Sequence, residues 1–432
     1  VKNRVFNCQK KWPNKALRGK VMANQDFKQI HETEIMNYLT QNFGFEVFTP
    51  GLERTDPVYR SFIEYFKKTG TKIVTVAGTN GKGQTAHTIG SLLTLEKCSF
   101  GLWTSPHILS IRERFLFSSH GVAEEATYEE LKVAMSESER ILKEELNEVK
   151  VSFYEFLFLV FLVIAKSRGT QDYLLLEVGL GGRLDAVNHF DADCVCITSI
   201  SRDHQSILGS RYDQILAEKI AVSRKNKPLF TNFDLEYLNS QTKAYTESHG
   251  VQWIPLKGST HYFEANQKMA WEVFRYLRPT SLLTFSEGIS KLPLYKGRRE
   301  IMTFEGKSLI FIGAHNIDGV RRMLQSYLES SDLLVPEELL VSFSQRPISE
   351  VEVMLKSLVD FFGDIASFKL TSFDHPKALD PESIRRAGVK VNKGMLNFVF
   401  DWKSELKNTK ANTILVCGSY YFIGEVQRFI RA

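Results

Sequence analysis

Val74-Thr75-Val76-Ala77-Gly78-Thr79-Asn80-Gly81-Lys82-Gly83 is a β-branched run that breaks into glycines and a lysine and then opens a helical pattern. Strand, glycine-rich loop and helix in that order make a phosphate cradle. Glycines let successive backbone N–H groups converge on one anion, and the following helix turns the positive end of its dipole toward it. Lys82 supplies a point charge for the outer phosphates. The spacing nearly matches GxxxxGK[ST], but Gly83 and Gln84 separate Lys82 from the first hydroxyl, Thr85. The candidate nucleotide site is therefore Gly78, Thr79, Asn80, Gly81, Lys82, Gly83, Gln84 and Thr85.

Around this loop, apolar strands alternate with helical stretches. Strands are expected at Ile73 to Ala77, Ser99 to Trp103, Tyr173 to Glu177 and Cys194 to Ile200. Helices are expected at Thr85 to Leu95, Tyr128 to Val149, Phe153 to Ser167, Tyr212 to Arg224 and Ala265 to Leu277. Such βαβ alternation implies a largely parallel sheet covered on both faces, whose strands read as continuous apolar runs. Tyr173-Leu174-Leu175-Leu176 and Cys194-Val195-Cys196-Ile197 fit that pattern. Functional groups then collect at the carboxyl ends of the strands.

The periodicity breaks at Lys291 to Arg299, around Pro293 and Lys296-Gly297, and a domain boundary is expected near residue 297. Beyond it come strand 308 to 312, helix Ile317 to Leu328, strand Leu339 to Phe343, helix Val351 to Phe361 and strand Phe368 to Ser372. Strand Thr413 to Cys417 and helix Phe422 to Ile430 close the chain. The fold class expected is α/β: a P-loop ATPase domain over 25–296 with a largely parallel sheet, and a smaller C-terminal Rossmann-like α/β domain over 297–432.

A chain of 432 residues with 43% hydrophobic and 24% charged content is globular, and its length suits two or three domains. The net charge of +5 is concentrated in Lys2, Arg4, Lys10, Lys11, Lys15, Arg18 and Lys20, with no acid before Asp26. This lead has no apolar core and little serine, so residues 1–24 read as a disordered basic extension rather than a targeting peptide. No aromatic platform is interleaved with that charge, so no nucleic-acid partner is expected. The longest apolar run, Phe156 to Ala165, is half the ~20 residues a membrane span requires, so no membrane partner is expected either. Cys8, Cys98, Cys194, Cys196 and Cys417 form no metal-ligand set and read as thiols of a reducing compartment.

The loop has company downstream: Thr104-Ser105-Pro106-His107, Phe153-Tyr154-Glu155, Glu177-Val178-Gly179-Leu180-Gly181-Gly182-Arg183-Leu184-Asp185 with Asn188, Asp203-His204 and Glu218-Lys219. Gly297-Arg298, Gly313-Ala314-His315-Asn316 and Gly418-Ser419 follow. In this order and spacing, over about residues 35 to 430, the chain resembles the folylpolyglutamate synthase/dihydrofolate synthase family of the Mur ligase superfamily.

The resemblance implies an ATP-dependent amide ligase that phosphorylates a folate-type carboxylate with ATP and lets the amine of L-glutamate attack the acyl phosphate. It implies Mg²⁺, at two sites, with Ser105, Glu177 and His204 as metal contacts. A strand-terminal glutamate such as Glu177 is sensible on its own, since it would be an expensive buried charge without a cation nearby. The resemblance further implies Lys82, Lys219, Arg298 and His315 as catalytic residues, with Lys219 a candidate for carbamylation by CO₂ and Arg298 and His315 also contacting ATP. Phe153, Arg183 and Asp185 are the implied pterin contacts. The substrates expected are ATP, L-glutamate and dihydropteroate or a reduced folate, and the protein is expected to be a cytoplasmic monomer.

The chain departs from the family pattern at Gln84, where Ser or Thr is usual, and at Ile312, where aspartate contacts the nucleotide. Arg112, Ser201-Arg202 and Lys377 are further departures. A divergent Mur-type amino-acid ligase and a folate- or nucleotide-binding homologue without catalysis are the competing readings.

Overall fold

The computed structural model describes residues 24–44, 51–145, 150–256, 262–293, 295–329, 333–391 and 396–431. The expectation for the basic lead falls outside the described residues up to 23; Asn24 opens a helix, Asn24–Phe43. Of the cysteines, the four described are free and buried, while Cys8 lies outside the described residues.

Eight strands build the first sheet: β1 (Lys72–Ala77), β2 (Phe100–Trp103), β3 (Phe115–Ser119), β4 (Val122–Glu125), β5 (Tyr173–Glu177), β6 (Cys194–Ile197), β7 (Pro228–Thr231) and β8 (Gln252–Pro255). Their order is β4-β3-β2-β5-β1-β6-β7-β8, parallel except for the antiparallel edge formed by β2, β3 and β4. β1 therefore sits between β5 and β6, with Val76 opposite Glu177 on one side and Cys196 on the other. Chain connections diverge from this point, and the crevice at the carboxyl ends of the strands is where such sheets bind ligands.

Both faces are covered. The helices Asp56–Thr69, Tyr128–Glu145 and Phe153–Ser167 pack one apolar core, and Lys82–Leu95 with Tyr262–Leu277 packs the other. The start of Phe153–Ser167 is set by a capping box: Ser152 Oγ accepts from Glu155 N, and Glu155 Oε2 accepts from Ser152 N at 2.7 Å. Phe156, Phe158 and Phe161 of that helix are fully buried, each worth about 2–3 kcal/mol of apolar transfer.

The second sheet comprises β9 (Arg298–Phe304), β10 (Lys307–Ile312), β11 (Glu338–Ser342), β12 (Ser367–Leu370), β13 (Leu396–Phe398) and β14 (Thr413–Gly418). Its order is β13-β12-β11-β14-β10-β9, parallel apart from β9. Helices Ile317–Glu329, Ile348–Phe362 and Pro381–Val391 cover one face, and Trp402–Asn408 with Tyr420–Arg431 the other.

Several elements differ from expectation for local reasons. The helix after the phosphate loop begins at Lys82 rather than Thr85, because Gly81 takes the left-handed conformation (φ 88°) that starts it. β6 stops at Ile197 instead of Ile200, since Thr198 and Ser199 turn their hydroxyls onto the carbonyl of Asn80, at 2.7 and 3.1 Å. The helix from Tyr212 ends at Ile220, not Arg224, where the chain tightens so that Ser223 N donates to Ile220 O at 2.9 Å. The helix from Tyr128 runs to Glu145, and 146–149 lie outside the described residues. The β3–β4 hairpin, turned at His120-Gly121 with positive φ at both residues, was not anticipated.

Candidate functional site

Carboxyl ends of strands from both sheets open into one cavity of 540 Å³. From the first sheet come Gly78 to Gln84 after β1, Ser105 after β2, Glu177 to Leu180 after β5, and Asp203 and His204 beyond β6. From the second come Ile312, Gly313 and His315 after β10, Ser344 to Arg346 after β11, and Ser419 to Tyr421 after β14.

The phosphate loop is held from below. Thr79 N donates to Ser199 O at 2.8 Å, Thr79 Oγ1 to Ser201 O at 3.2 Å, and Asn80 N to Ser199 Oγ at 2.9 Å. Gly78 must be glycine: with φ 142°, a Cβ there would lie 2.0 Å from Thr198 Oγ1. Lys82 folds back over the loop, its Nζ donating to the carbonyls of Gly78 and Thr79, both at 3.2 Å. Gly83 and Gln84 continue the helix, and the Gln84 Oε1 accepts from Asn266 Nδ2 at 2.9 Å. Thr85 is fully buried and its Oγ1 has no hydrogen-bond partner.

Asn80 lines the cavity, and its side chain is tied to residues that follow β10. Its Nδ2 donates to Asn316 Oδ1 and Asp318 Oδ2, both at 3.1 Å, and its Oδ1 accepts from Asn316 Nδ2 at 3.0 Å. Asn316 Nδ2 also donates to Asp203 Oδ2 at 2.8 Å.

Glu177 is buried at the end of β5, where its Oε2 accepts the backbone N–H of Ser105 at 3.0 Å. His204, in a left-handed conformation (φ 49°), lines the same cavity. Desolvation, joined by the charges of His315, Lys82 and Lys219, keeps its imidazole below the ordinary histidine pKa while Asp203 pulls the other way. Burial works against the charge of Asp203, yet His315, His204 and Arg346 hold its carboxyl well below the usual carboxylate range. Lys219 reaches the cavity from the helix Tyr212–Ile220 and is 3% exposed. Burial first and the charge of Lys82 second pull its amine down to about 7.

Asp185 lines the cavity but its carboxylate is engaged: Oδ2 accepts from Gly179 N and Leu180 N at 2.9 and 3.0 Å, and Oδ1 from Val187 N and Tyr154 OH at 3.1 Å each. Burial pushes that carboxyl up to about 6 against the pull of these bonds. Phe153 packs in the core with the Arg114 guanidinium 5.7 Å from its ring centre, and its neighbour Tyr154 is the ring that lines the cavity. Arg183 is half-exposed and forked onto Glu218 Oε1 at 2.7 and 2.9 Å, away from the lining. Arg298 opens β9 with its backbone opposite Ile312; its side chain lies outside the described residues.

Across from the loop, three polar atoms are buried without hydrogen-bond partners: His315 Nδ1, Arg346 Nε and Arg346 Nη1. His315 Nε2 is 3.4 Å from Asp203 Oδ2, and Glu350 lies 3.6 Å from Arg346 Nη1, within ion-pair but not hydrogen-bond range. Arg346 was not among the expected site residues. The signal for it is positional: it leaves the carboxyl end of β11 as His315 leaves that of β10.

These features fit an anionic ligand. Buried donors in a native structure ordinarily find a partner, and those aimed into a cavity with Lys82 and Lys219 have an anion as the natural one. Among the described residues no three His, Cys, Asp or Glu side chains stand close enough together to hold a metal ion. Magnesium does not require such a cluster, since it keeps waters and phosphate oxygens alongside one or two carboxylates, and Glu177 with the Ser105 hydroxyl suits that mode. Also among the described residues, no helix is long and apolar enough to cross a membrane.

No family model matches this chain. It is similar to the dihydrofolate synthase/folylpolyglutamate synthase of Buchnera aphidicola subsp. Baizongia pistaciae (strain Bp), 27% identical over 417 residues that cover 88% of this chain and 92% of that one. The enzyme of the same name from Escherichia coli (strain K12) is 27% identical over 432 residues, covering 92% and 95%. Among solved structures, a bifunctional folylpolyglutamate synthase/dihydrofolate synthase with Mn, AMPPNP and L-glutamate bound superposes with a TM-score of 0.74 at 23% identity, covering 93% of this chain and 98% of that one. That likeness establishes the shared fold.

Proposed function

We infer the activity of this chain from its membership of the dihydrofolate synthase/folylpolyglutamate synthase family: it is an ATP-dependent amide ligase that joins L-glutamate to a pteroate or folate carboxylate. The observation that carries this reading is the single cavity walled by the phosphate loop on one side and by the unpartnered nitrogen atoms of His315 and Arg346 on the other.

A carboxylate repels nucleophiles, so the reaction first makes it an electrophile. The folate carboxylate attacks the γ-phosphorus, the bond to the β-phosphate oxygen breaks and ADP leaves. The amine of glutamate then attacks the acyl carbon, loses a proton and expels phosphate. The loop amides and Lys82 hold the polyphosphate in line for the first step. Glu177, Ser105 and His204 would hold magnesium, which when bound neutralises phosphate charge. Lys219, with its amine brought down to about 7, is nucleophilic enough near neutrality to take up CO₂, and the carbamate would support a second magnesium. Arg346 is placed to take a glutamate carboxylate with its planar fork. Ser152, Tyr154 and Leu184 line the part of the cavity assigned to the pterin. Tyr154 takes the place first given to Phe153, and Asp185 shapes the loop from Gly179 to Val187.

A division into an N-terminal nucleotide domain ending near 296 and a C-terminal amino-acid domain from 297 belongs to the same proposal, as do a monomeric state and action in the cytoplasm. ADP release tests the activity when it is measured in parallel with dihydropteroate and with tetrahydrofolate, each with and without glutamate, in the presence of Mg²⁺. Glutamate-dependent ADP release with either acceptor supports it, and none with both would overturn it. The second reading, a binding protein without catalysis, is favoured by one feature. The side chain of Ile312, buried at the cavity edge, offers no hydrogen-bond acceptor to a nucleotide. ATP binding seen by calorimetry with no ADP formed would select it.

A further inference from the structure

We propose that Asn80 and Asn316 are positioning residues that latch the phosphate loop to the second sheet, a role that rests on the ligase reading only for its effect on the reaction. The two residues are 236 positions apart in the chain, yet their side-chain amides pair reciprocally at 3.0 and 3.1 Å. Both are buried, Asn80 at 8% and Asn316 at 0% exposure.

Beyond each other, the two amides reach Asp318, Ser201, Gly319, Asp203 and His315. Asn80 Nδ2 reaches Asp318 Oδ2 at 3.1 Å as well as Asn316 Oδ1. Asn316 Oδ1 accepts from Gly319 N at 2.7 Å, fixing the first turn of the helix that follows, and its Nδ2 reaches Asp203 Oδ2 at 2.8 Å. Each amide carries two N–H donors, and both donors of both side chains are engaged, so neither has a donor left for a phosphate. The Asn80 backbone is pinned just as firmly by Thr198 and Ser199. A buried polar network with all members satisfied admits one geometry and resists small displacements.

The geometry makes the latch mechanically relevant. Asn80 immediately precedes Gly81 and Lys82, and Asn316 immediately follows His315. The pair therefore fixes the distance between the wall that holds the phosphates and the wall that receives the amine. Should the walls part while the acyl phosphate exists, water reaches the acyl carbon and the phosphoryl transfer is wasted. The latch would thus set the ratio of amide formed to ADP released.

Reversing the polarity of one contact tests this without removing a side chain. In N80D the donors to Asp318 and to Asn316 Oδ1 are both lost, and a carboxylate stands against the Asp318 carboxylate. In N80D/D318N an amide and a carboxylate face one another again with roles exchanged. Small-angle scattering on the intact protein reads the latch whatever the activity. N80D is expected to increase the radius of gyration and the double variant to bring it back toward the wild type. A second readout is the amide-to-ADP ratio with tetrahydrofolate, glutamate and Mg²⁺: near one in the wild type, lowered roughly tenfold in N80D, a loss of the size one or two hydrogen bonds command, and partly restored in the double variant. An unchanged radius in N80D, or a double variant no closer to wild type than N80D, would overturn the latch. Absence of amide from the wild type would instead overturn the ligase reading and leave the scattering result to judge the latch.

Discussion

The phosphate loop and the edge of the second sheet that faces it are built on opposite plans. In the loop, Thr79 and Asn80 commit their side chains to Ser201, Asn316 and Asp318, and even Lys82 folds onto the carbonyls of Gly78 and Thr79. Across the cavity, His315 and Arg346 keep buried nitrogen atoms without partners. The loop is a shape made in advance, acting through backbone amides and one movable ammonium. The facing edge is a set of donors completed by a ligand. Buried polar groups ordinarily have a partner, and a ligand bound in the cavity would supply one.

The largest effect expected from this contrast is at Lys82, whose ammonium rests on the carbonyls of Gly78 and Thr79 at the cavity. Lys82→Ala should lower kcat for ADP release by about 10³-fold, the scale of removing a charge from a transition-state clamp. A loss under tenfold would show that the loop works through its backbone alone.

Lys219 sharpens the comparison because it is a buried cation with no hydrogen bond or ion pair among the described residues. Its folded pKa of about 7 lies below the ordinary 10.5, so between those values the unfolded chain carries the extra proton and stability rises with pH. Lys219→Met should therefore unfold at higher urea than wild type in CO₂-free buffer at pH 7, by roughly 3–5 kcal/mol, and the gap should close toward pH 10. The same variant should lose ligase activity. In the wild type, uptake of ¹³C-labelled CO₂ seen by NMR should appear as pH passes upward through about 7.

The smallest effect is expected outside both walls. Arg183 is half-exposed and paired with Glu218, so Arg183→Ala should cost about 0.2–1 kcal/mol in thermal unfolding and change the KM for the pterin substrate less than about twofold. A tenfold rise would return Arg183 to the substrate contacts.

How much of this was legible in the chain follows the range of the forces involved. The glycine loop, β5 and the helix Phe153–Ser167 are written locally, in φ requirements, apolar runs and a capping box, and they were read at or near their true bounds. Two local signals were passed over: Pro57 inside the start of Asp56–Thr69 with left-handed Gly70 at its end, and the His120-Gly121 hairpin turn. Other features depend on distant partners. Which of Phe153 and Tyr154 faces the cavity is a matter of one residue, about 100° around a helix, and only the packing against Arg114 and Trp103 decides it. That the Asn80 side chain pairs with Asn316 could not be read from the chain, because Asn316 lies 236 positions away, in the loop after β10. Arg346 sits in no glycine motif, so only the topology, with β11 ending beside β14, brings it to the cavity.

The account stands most directly on the division of labour between the two walls. ADP release should be followed against glutamate concentration, at saturating reduced folate and Mg²⁺, for the wild type and for Arg346→Ala, and then against ATP for both. Loss of a buried charge partner predicts a glutamate KM raised about 10²-fold with the ATP KM unchanged. An ATP KM that rises while the glutamate KM stays at its wild-type value would contradict it.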